Sequence, residues 1–284
     1  MKQTHVQNII SRCETVLSRL EGKRVFVAGG SGFYGSWLVN VLEEAGIDVE
    51  WGARSNGWDI LDPSTYTDFQ RNADYVINAA GKSDYLGNYE VMATGPVNLY
   101  RSMEKGLMLQ ISSGAAPYRR SKYAAAKDDS ERILLGRVQI IRPYATVGPG
   151  MGLDRTFAIS TFIRQALAGE HLAGFALSVA PGITRSFCHI TDMIVQMLHV
   201  LVAGDYRPYD AGSDDAITME EAARVISPNV ILADKEFQSN ANCDYYVANL
   251  GRMKAMFGST FGLTVDYSSA AAIQDTYEYY KEVK

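Results

Sequence analysis

The chain has little cysteine, no block of basic residues and no long apolar run, and each of these absences excludes a class of protein. Its 284 residues include three cysteines, which are scattered and form no C-x-x-C pair, so neither a disulfide framework nor a thiolate metal site is expected. No apolar run approaches membrane-spanning length, and the N-terminus does not resemble a signal peptide. We therefore expect a cytoplasmic protein with no membrane partner.

The chain also has only a small excess of negative charge and few histidines. A net charge of −5 with no Lys/Arg run argues against a nucleic-acid surface, although a few arginines and backbone amides suffice to bind an anionic nucleotide. The four histidines include no pair at metal-ligand spacing with a carboxylate, so no metal site is expected. At this length the chain can form one large α/β domain, or a domain with a smaller partner.

A glycine-rich stretch near the N-terminus is the most informative feature that is present. The apolar β-run 25–28 enters it, and apolar residues at helical spacing leave it. A strand, a glycine turn and a helix in this order place backbone amides and a helix N-terminus against a pyrophosphate. The glycines fit two spacings, Gly30-x-Gly32-x-x-Gly35 and Gly29-x-x-Gly32-x-x-Gly35. A turn that binds nothing is the alternative.

Short apolar runs alternate with helical patterns along the rest of the first half. We predict further strands at 47–53, 58–63, 74–81 and 107–111, and helices over 1–22, to about 44, over 89–105 and over 122–135. This alternation predicts an α/β fold with a doubly wound parallel sheet, whose ligands bind beyond the carboxyl ends of the strands.

The end of the second strand indicates which dinucleotide is bound. Folds of this type usually place an acidic residue there to hold the ribose hydroxyls of NAD, but Ala53 stands at that point. The next residues, Arg54 and Ser55, suit a 2′-phosphate, because a guanidinium matches phosphate oxygens. NADP is therefore the preferred cofactor and NAD the alternative. Asp59 is placed to accept a hydrogen bond from the adenine amino group.

Two consecutive Tyr-x-x-x-Lys patterns follow the strand at 107–111. They are Tyr118 with Lys122, and Tyr123 with Lys127. Residues four apart share a helix face, so the ammonium can lower the pKa of the tyrosine, which near 10 is otherwise a poor proton-transfer group. The residues alone leave both registers open.

At this point the chain resembles the extended short-chain dehydrogenase/reductase family of NAD(P)-dependent sugar-nucleotide epimerases and dehydratases, which have a Rossmann-type fold. Lys127 is followed four residues later by Glu131 and then an apolar pair, as in that family, whereas the earlier lysine lacks this glutamate. The resemblance implies that Tyr123 and Lys127 are catalytic. It assigns the serine role to Ser113, with Ser112 in reserve.

The resemblance also selects the Gly29-Gly32-Gly35 spacing and implies where cofactor and substrate bind. The predicted cofactor residues are Gly29, Gly32, Phe33, Tyr34, Gly35, Arg54, Ser55, Asp59, Ile60, Ala79, Ala80, Gly81, Tyr123, Lys127 and Pro143. The predicted substrate residues are Ser113, Tyr123 and Arg185, since segment 185–192 resembles the one whose arginine contacts the nucleotide diphosphate.

By the same resemblance the chain divides into a dinucleotide-binding domain and a smaller C-terminal α/β substrate-binding domain. Residues 23–150 and about 183–205 form the first, and about 151–182 and 206–284 form the second. Residues 1–22, an amphipathic helix, lie outside the family pattern. The helices at about 89–105 and 122–135 are those by which family members pair, which implies a homodimer.

Three departures from the family pattern narrow the expected reaction. Ala145 and Met92 each replace an asparagine, and Gly114-Ala115 replaces the Asp-Glu pair of the dehydratases, so 4,6-dehydration is not expected. We expect a sugar-nucleotide epimerase or 4-keto-reductase. The alternatives are a reductase of a small non-nucleotide alcohol or ketone, and a non-catalytic NADP-binding sensor of the same fold.

Overall fold

A computed structural model describes residues 3–81, 88–154, 157–169, 177–179, 182–232 and 245–283, so that His171 and Cys243 lie outside the described residues. The helices are α1 (Gln3–Arg12), α2 (Glu14–Leu17), α3 (Phe33–Glu44), α4 (Asp68–Arg71), α5 (Tyr89–Ala93), α6 (Gly95–Ser102), α7 (Lys122–Leu134), α8 (Ala158–Gly169), α9 (Ile190–Ala203), α10 (Met219–Ile226), α11 (Gly251–Phe261) and α12 (Ser269–Glu282). The strands are β1 (Arg24–Ala28), β2 (Asp48–Gly52), β3 (Tyr75–Asn78), β4 (Leu107–Ile111), β5 (Gln139–Pro143), β6 (Thr146–Val147), β7 (Leu177–Val179), β8 (Thr184–Ser186), β9 (Cys188–His189), β10 (Tyr209–Ala211), β11 (Ala216–Thr218), β12 (Val230–Leu232) and β13 (Tyr245–Tyr246).

Six parallel strands form the main sheet, in the order β10-β5-β4-β3-β1-β2. Its central strands are nearly continuous apolar runs because helices cover both faces. The strand order reverses between β1 and β3, and the carboxyl ends of both strands lie at this crevice. The predicted α/β class and doubly wound parallel sheet are confirmed.

The predicted strand at 58–63 is wrong, because this segment folds as tight turns. The Asp59 carboxylate accepts a hydrogen bond from the Leu61 amide at 2.9 Å, and the Asp62 amide bonds back to the Asp59 carbonyl at 3.0 Å. Trp58 is buried beneath β2, where an added Cβ on Gly52 would lie 2.5 Å from the indole. The apolar residues of this segment therefore fill the core without strand pairing.

A second group of buried residues packs away from the main sheet. It consists of apolar side chains from α8, α10 and α12, together with Val147, Met151, Val179 and Phe187. Beside it, β8 pairs with β11 and β13 in a small three-stranded sheet that carries Arg185. The predicted boundaries of the two domains stay a prediction.

The N-terminal segment docks on the body through a buried ion pair. It forms α1 and α2 instead of one helix, with Val6, Ile9, Cys13 and Leu20 buried. Arg12 lies 2.7 Å from the fully buried carboxylate of Asp192, in the first turn of α9. The backbone amides of Asp266 and Tyr267 also donate to Asp192, so this carboxylate joins three parts of the chain.

Replacing Arg12 tests how strongly this segment is held. Arg12→Met leaves a buried carboxylate without its cation, so we expect the free energy of unfolding to fall by about 3 kcal/mol in urea titrations. The control is Arg224→Met, which breaks the exposed pair with Glu220 and should cost less than about 0.5 kcal/mol. Equal losses in the two variants would contradict the docking account.

Candidate active site

The glycine turn is so tight that Gly29 and Gly35 leave no room for a side chain. Gly29 has φ +83° and its amide donates to the Gly52 carbonyl at 2.6 Å. An added Cβ would lie 2.7 Å from the Ala80 amide nitrogen at Gly29, and 2.1 Å from the Gly29 carbonyl oxygen at Gly35. At Gly32 it would lie 3.2 Å from the same oxygen, so Gly32 is the least constrained of the three.

This turn fits the pyrophosphate of a dinucleotide. Gly32 precedes α3 in an extended conformation, and the helix begins at Phe33 and Tyr34, whose amides lie in its first turn, the end of a helix that favours anions. Tyr34 also donates from its hydroxyl to the Thr146 hydroxyl at 2.9 Å. The helix start is thus fixed against the loop after β5, with its amides at the sheet edge.

The predicted adenosine contacts lie at the end of β2. Arg54 and Ser55 are exposed there, and within the described ranges the Arg54 guanidinium makes no hydrogen bond or ion pair. Asp59 is partly buried with one carboxylate oxygen used by Leu61, and Ile60 is buried against Gly95. Arg54 is therefore available to an anion beside the glycine turn.

The end of β3 lies directly over the glycine turn. Ala79, Ala80 and Gly81 follow the strand, and the backbone of Ala80 contacts Gly29. Gly81 has φ +139°, and a Cβ built on it would lie 3.8 Å from the Lys127 ammonium and 3.2 Å from Met92. The glycine turn and the helix that carries Lys127 therefore meet at this strand end.

Lys127 is buried at the centre of the site. Its ammonium donates to the Ile111 carbonyl at 2.8 Å, at the end of β4. Burial lowers the pKa of Lys127 from 10.5 to about 8, and the nearby Glu131 opposes part of this shift. Lys122 and Tyr118, the other register, are exposed. Tyr123 is partly buried and packs against Met92, Ala93 and Ala126.

A buried polar network fixes α7 against the strand ends. Glu131 accepts hydrogen bonds from the Ser112 hydroxyl and from Arg142, whose Nη2 lies 2.5 Å from a carboxylate oxygen. Ser112 is therefore committed to the network. Ser113, one residue later, has its hydroxyl on the other side, where it accepts from the Ala115 amide at 3.2 Å.

Two tyrosines that the sequence analysis did not single out lie beside Ser113. The Tyr246 hydroxyl lies near the Ser113 hydroxyl, and its ring lies 4.5 Å from that of Tyr144 between centroids. Burial raises the pKa of Tyr246 well above the ordinary tyrosine value. The Arg185 guanidinium lies 5.9 Å from the Tyr246 ring. The structure thus brings Arg185 to Ser113, with Tyr246 between them.

Tyr144 also explains the glycine after Ser113. A Cβ on Gly114 would lie 2.4 Å from the Tyr144 ring, so the ring occupies the space that a side chain at position 114 would need. The Gly114 amide donates to the Pro143 carbonyl at 2.9 Å, which holds this backbone against the end of β5. The Tyr144 ring therefore leaves no room for a carboxylate side chain directly after Ser113, where the sequence has a glycine.

Comparison with known proteins identifies the family. The sequence model of the NAD dependent epimerase/dehydratase family matches residues 25–212. The chain belongs to this family. A nicotinamide dinucleotide cofactor and an NAD(P)-dependent enzyme of the extended short-chain dehydrogenase/reductase type, both expected from the sequence, are thereby confirmed.

Relatives in the epimerase/dehydratase family carry out several reactions. UDP-glucuronic acid decarboxylase 3 of Arabidopsis thaliana is 37% identical over 91 residues, 31% of this chain and 25% of that protein, so the match spans about a quarter of its length. GDP-6-deoxy-D-mannose reductase of Pseudomonas aeruginosa is 26% identical over 220 residues, 64% of this chain and 72% of that protein.

Solved structures of the epimerase/dehydratase family share the fold. RMD from Pseudomonas aeruginosa complexed with NADPH has a TM-score of 0.76 at 21% identity, covering 92% of this chain and 100% of that one. UDP-glucose 4-epimerase from Thermotoga maritima with UDP-glucose has a TM-score of 0.72 at 14% identity, covering 92% of this chain and 99% of that one.

Among the helices of the described residues, none has the length and apolar character of a membrane-spanning helix.

Proposed function

We propose that the chain is an NADP(H)-dependent reductase of a keto-sugar carried on a nucleoside diphosphate, acting at C4 of the sugar. The observation that carries this proposal is the buried Lys127 ammonium, which lies beside the end of β3 over the glycine turn and on the same helix as Tyr123. A cation in this place is expensive to bury and acts on both the cofactor side and the proton-transfer side of the site.

Each residue has a distinct role in the proposed reduction. The nicotinamide cofactor, when bound, supplies the hydride. Tyr123 transfers its hydroxyl proton to the substrate oxygen, and Lys127 stabilises the resulting tyrosinate and lowers the tyrosine pKa. Ser113 donates a hydrogen bond to the same oxygen, which keeps the reacting carbon in line with the hydride donor. The Tyr246 hydroxyl lies near Ser113, beside the position proposed for the substrate oxygen.

The substrate class is argued from Arg185 and from the relatives. Arg185 is a partly buried cation 5.9 Å from the ring of Tyr246, and a guanidinium is suited to bind the diphosphate of a nucleotide-linked sugar. The relatives above are named for UDP- and GDP-linked sugars. A small alcohol or ketone would leave Arg185 without a role.

Two observations favour reduction over the other reactions of the family. The space after Ser113 is filled by Tyr144, so no acid stands there for dehydration. The exposed Arg54 at the end of β2 suits the 2′-phosphate of NADP, the dinucleotide that cells keep reduced. Epimerisation uses the same residues but returns the hydride, so it consumes no NADPH.

We also propose a homodimer formed by α5 and α7, which pack together and expose Tyr89 and Ile133.

The register of the catalytic pair is tested by two matched tyrosine variants. Tyr123→Phe should lower kcat by about 10²–10⁴-fold and leave the Kd for NADPH within about twofold, because only the proton-transfer group is lost. Tyr118→Phe removes an exposed hydroxyl five residues earlier and should behave as wild type. NADPH oxidation with a nucleotide-linked 4-keto-sugar measures both. A loss in Tyr118→Phe with Tyr123→Phe active would contradict the assignment.

The preference for NADP is tested at Arg54. Arg54→Ala removes a charge-assisted contact to the 2′-phosphate, so the KM for NADPH should rise about 10- to 100-fold and the KM for NADH should change little. Arg101→Ala, an exposed arginine on α6, serves as the control for lost charge. An equal rise in both KM values would contradict the 2′-phosphate contact.

A further inference from the structure

Away from the proposed active site, three ligand-type side chains from distant parts of the sequence converge. His5 lies on α1, His189 directly precedes α9, and Asp275 lies on α12. His189 Nε2 is 3.1 Å from one oxygen of Asp275, and His5 Nε2 is 3.5 Å from the other. One ligand atom from each residue lies within 4.8 Å of the other two.

This trio is enclosed by aromatic rings. His189 is fully buried and stacks on Tyr267 at 4.1 Å, and His5 is 8% exposed and lies 6.2 Å from the ring of Trp37. The Asp275 side chain is 24% exposed and provides the contact with solvent. Two imidazoles and a carboxylate are thus held in a mostly dry site with one open side.

One nitrogen in the trio has no partner. Nδ1 of His5 is buried and makes no hydrogen bond within the part of the chain that the structure describes. Nδ1 of His189, by contrast, lies 2.7 Å from the Thr191 hydroxyl and accepts from the Thr191 amide at 3.3 Å, which orients the ring with Nε2 towards Asp275. Contacts of the two Nε2 atoms with the Asp275 oxygens leave Nδ1 of His5 without a partner.

The spacing suits a small tetrahedral cation. Zinc bonds of about 2.0–2.1 Å to nitrogen and oxygen place neighbouring ligand atoms about 3.3 Å apart. The two observed His–Asp separations, 3.1 Å to one oxygen of Asp275 and 3.5 Å to the other, are near that value, and the three ligand atoms lie within 4.8 Å of one another. Two histidines and one carboxylate are also a ligand set that zinc uses, with water as the fourth ligand.

We infer that His5, His189 and Asp275 form a binding site for a divalent transition-metal ion of the zinc type. The ion joins the first and last helices of the chain to the start of α9. Because Arg12 and Asp192 already hold α1 nearby, binding closes a site whose ligands are positioned beforehand. The ligands are at positions 5, 189 and 275, too far apart in the chain to form a recognisable spacing motif.

The full-length protein, treated with EDTA and dialysed, provides the test. Zinc chloride titrated by calorimetry should bind one equivalent with a Kd of about 1 µM or tighter, and Co²⁺ should give the visible absorption of a tetrahedral site. His5→Gln and Asp275→Asn keep hydrogen-bonding groups but lose a ligand, and each should weaken binding by about 100-fold. Glu220→Gln, an exposed carboxylate on α10, should bind as wild type.

The same measurements distinguish a metal site from a purely hydrogen-bonded bridge. In the metal account, zinc raises the Tm of the wild-type protein and not that of His5→Gln or Asp275→Asn. Millimolar binding with no tetrahedral Co²⁺ spectrum in the wild type would overturn the inference, and that readout needs no variant to fold. Binding by both variants at wild-type affinity would overturn it equally.

Discussion

The proposed site depends on one buried interaction, the hydrogen bond from the Lys127 ammonium to the Ile111 carbonyl. The ammonium has no carboxylate bound to it in the described structure; Glu131 acts on it only at longer range and is already bonded to Ser112 and Arg142. A cation held by a neutral carbonyl in a buried position loses hydration that one hydrogen bond does not replace. The lowered pKa of Lys127 expresses this cost.

The surrounding structure is arranged so that the chain keeps this cation in place. Glu131, Ser112 and Arg142 fix α7 to the ends of β4 and β5, and Ser121 caps the start of the helix by accepting from the Ala124 amide at 3.1 Å. These contacts give the lysine one position relative to the end of β3 and to the glycine turn. Burying the Lys127 ammonium therefore destabilises the fold at the residue that the proposed chemistry needs most. The surrounding hydrogen bonds and ion pair offset this cost.

The parts of this arrangement that could be predicted from the sequence are those whose residues have a fixed spacing along the chain. The strand–turn–helix pattern predicted the glycine turn, and the resemblance to the family selected Gly29 and Gly35 there. The same resemblance selected Lys127 over the earlier lysine, through the glutamate four residues later. These signals lie within one turn or one helix, so that residues close in the sequence are also close in space. The predicted strand at 58–63 failed because apolar residues there fill the core as turns, and periodicity does not distinguish these cases over six residues.

Residues brought in by tertiary contacts were beyond the reach of the sequence. Tyr246 lies more than a hundred residues after Ser113 and reaches it only through the pairing of β13 with β8. His5, His189 and Asp275 come together only because α1 and α12 pack against the start of α9. The order of residues in the chain contains no signal for such contacts, because the distance in space between the partners is set by the whole fold.

The measurement that tests the account most directly compares wild type and Lys127→Met without cofactor, by urea unfolding from pH 7 to 10. In the folded wild type the lysine titrates at about 8 and in the unfolded chain at about 10.5, so the wild type gains stability as pH rises through this window. The variant buries no charge, and the Ile111 carbonyl keeps the Gln110 amide as a partner at 3.2 Å. Lys127→Met should therefore lose turnover yet be more stable at pH 7, by an amount on the order of 3 kcal/mol that shrinks towards pH 10. A variant less stable than wild type at pH 7, with a difference independent of pH, would contradict the account.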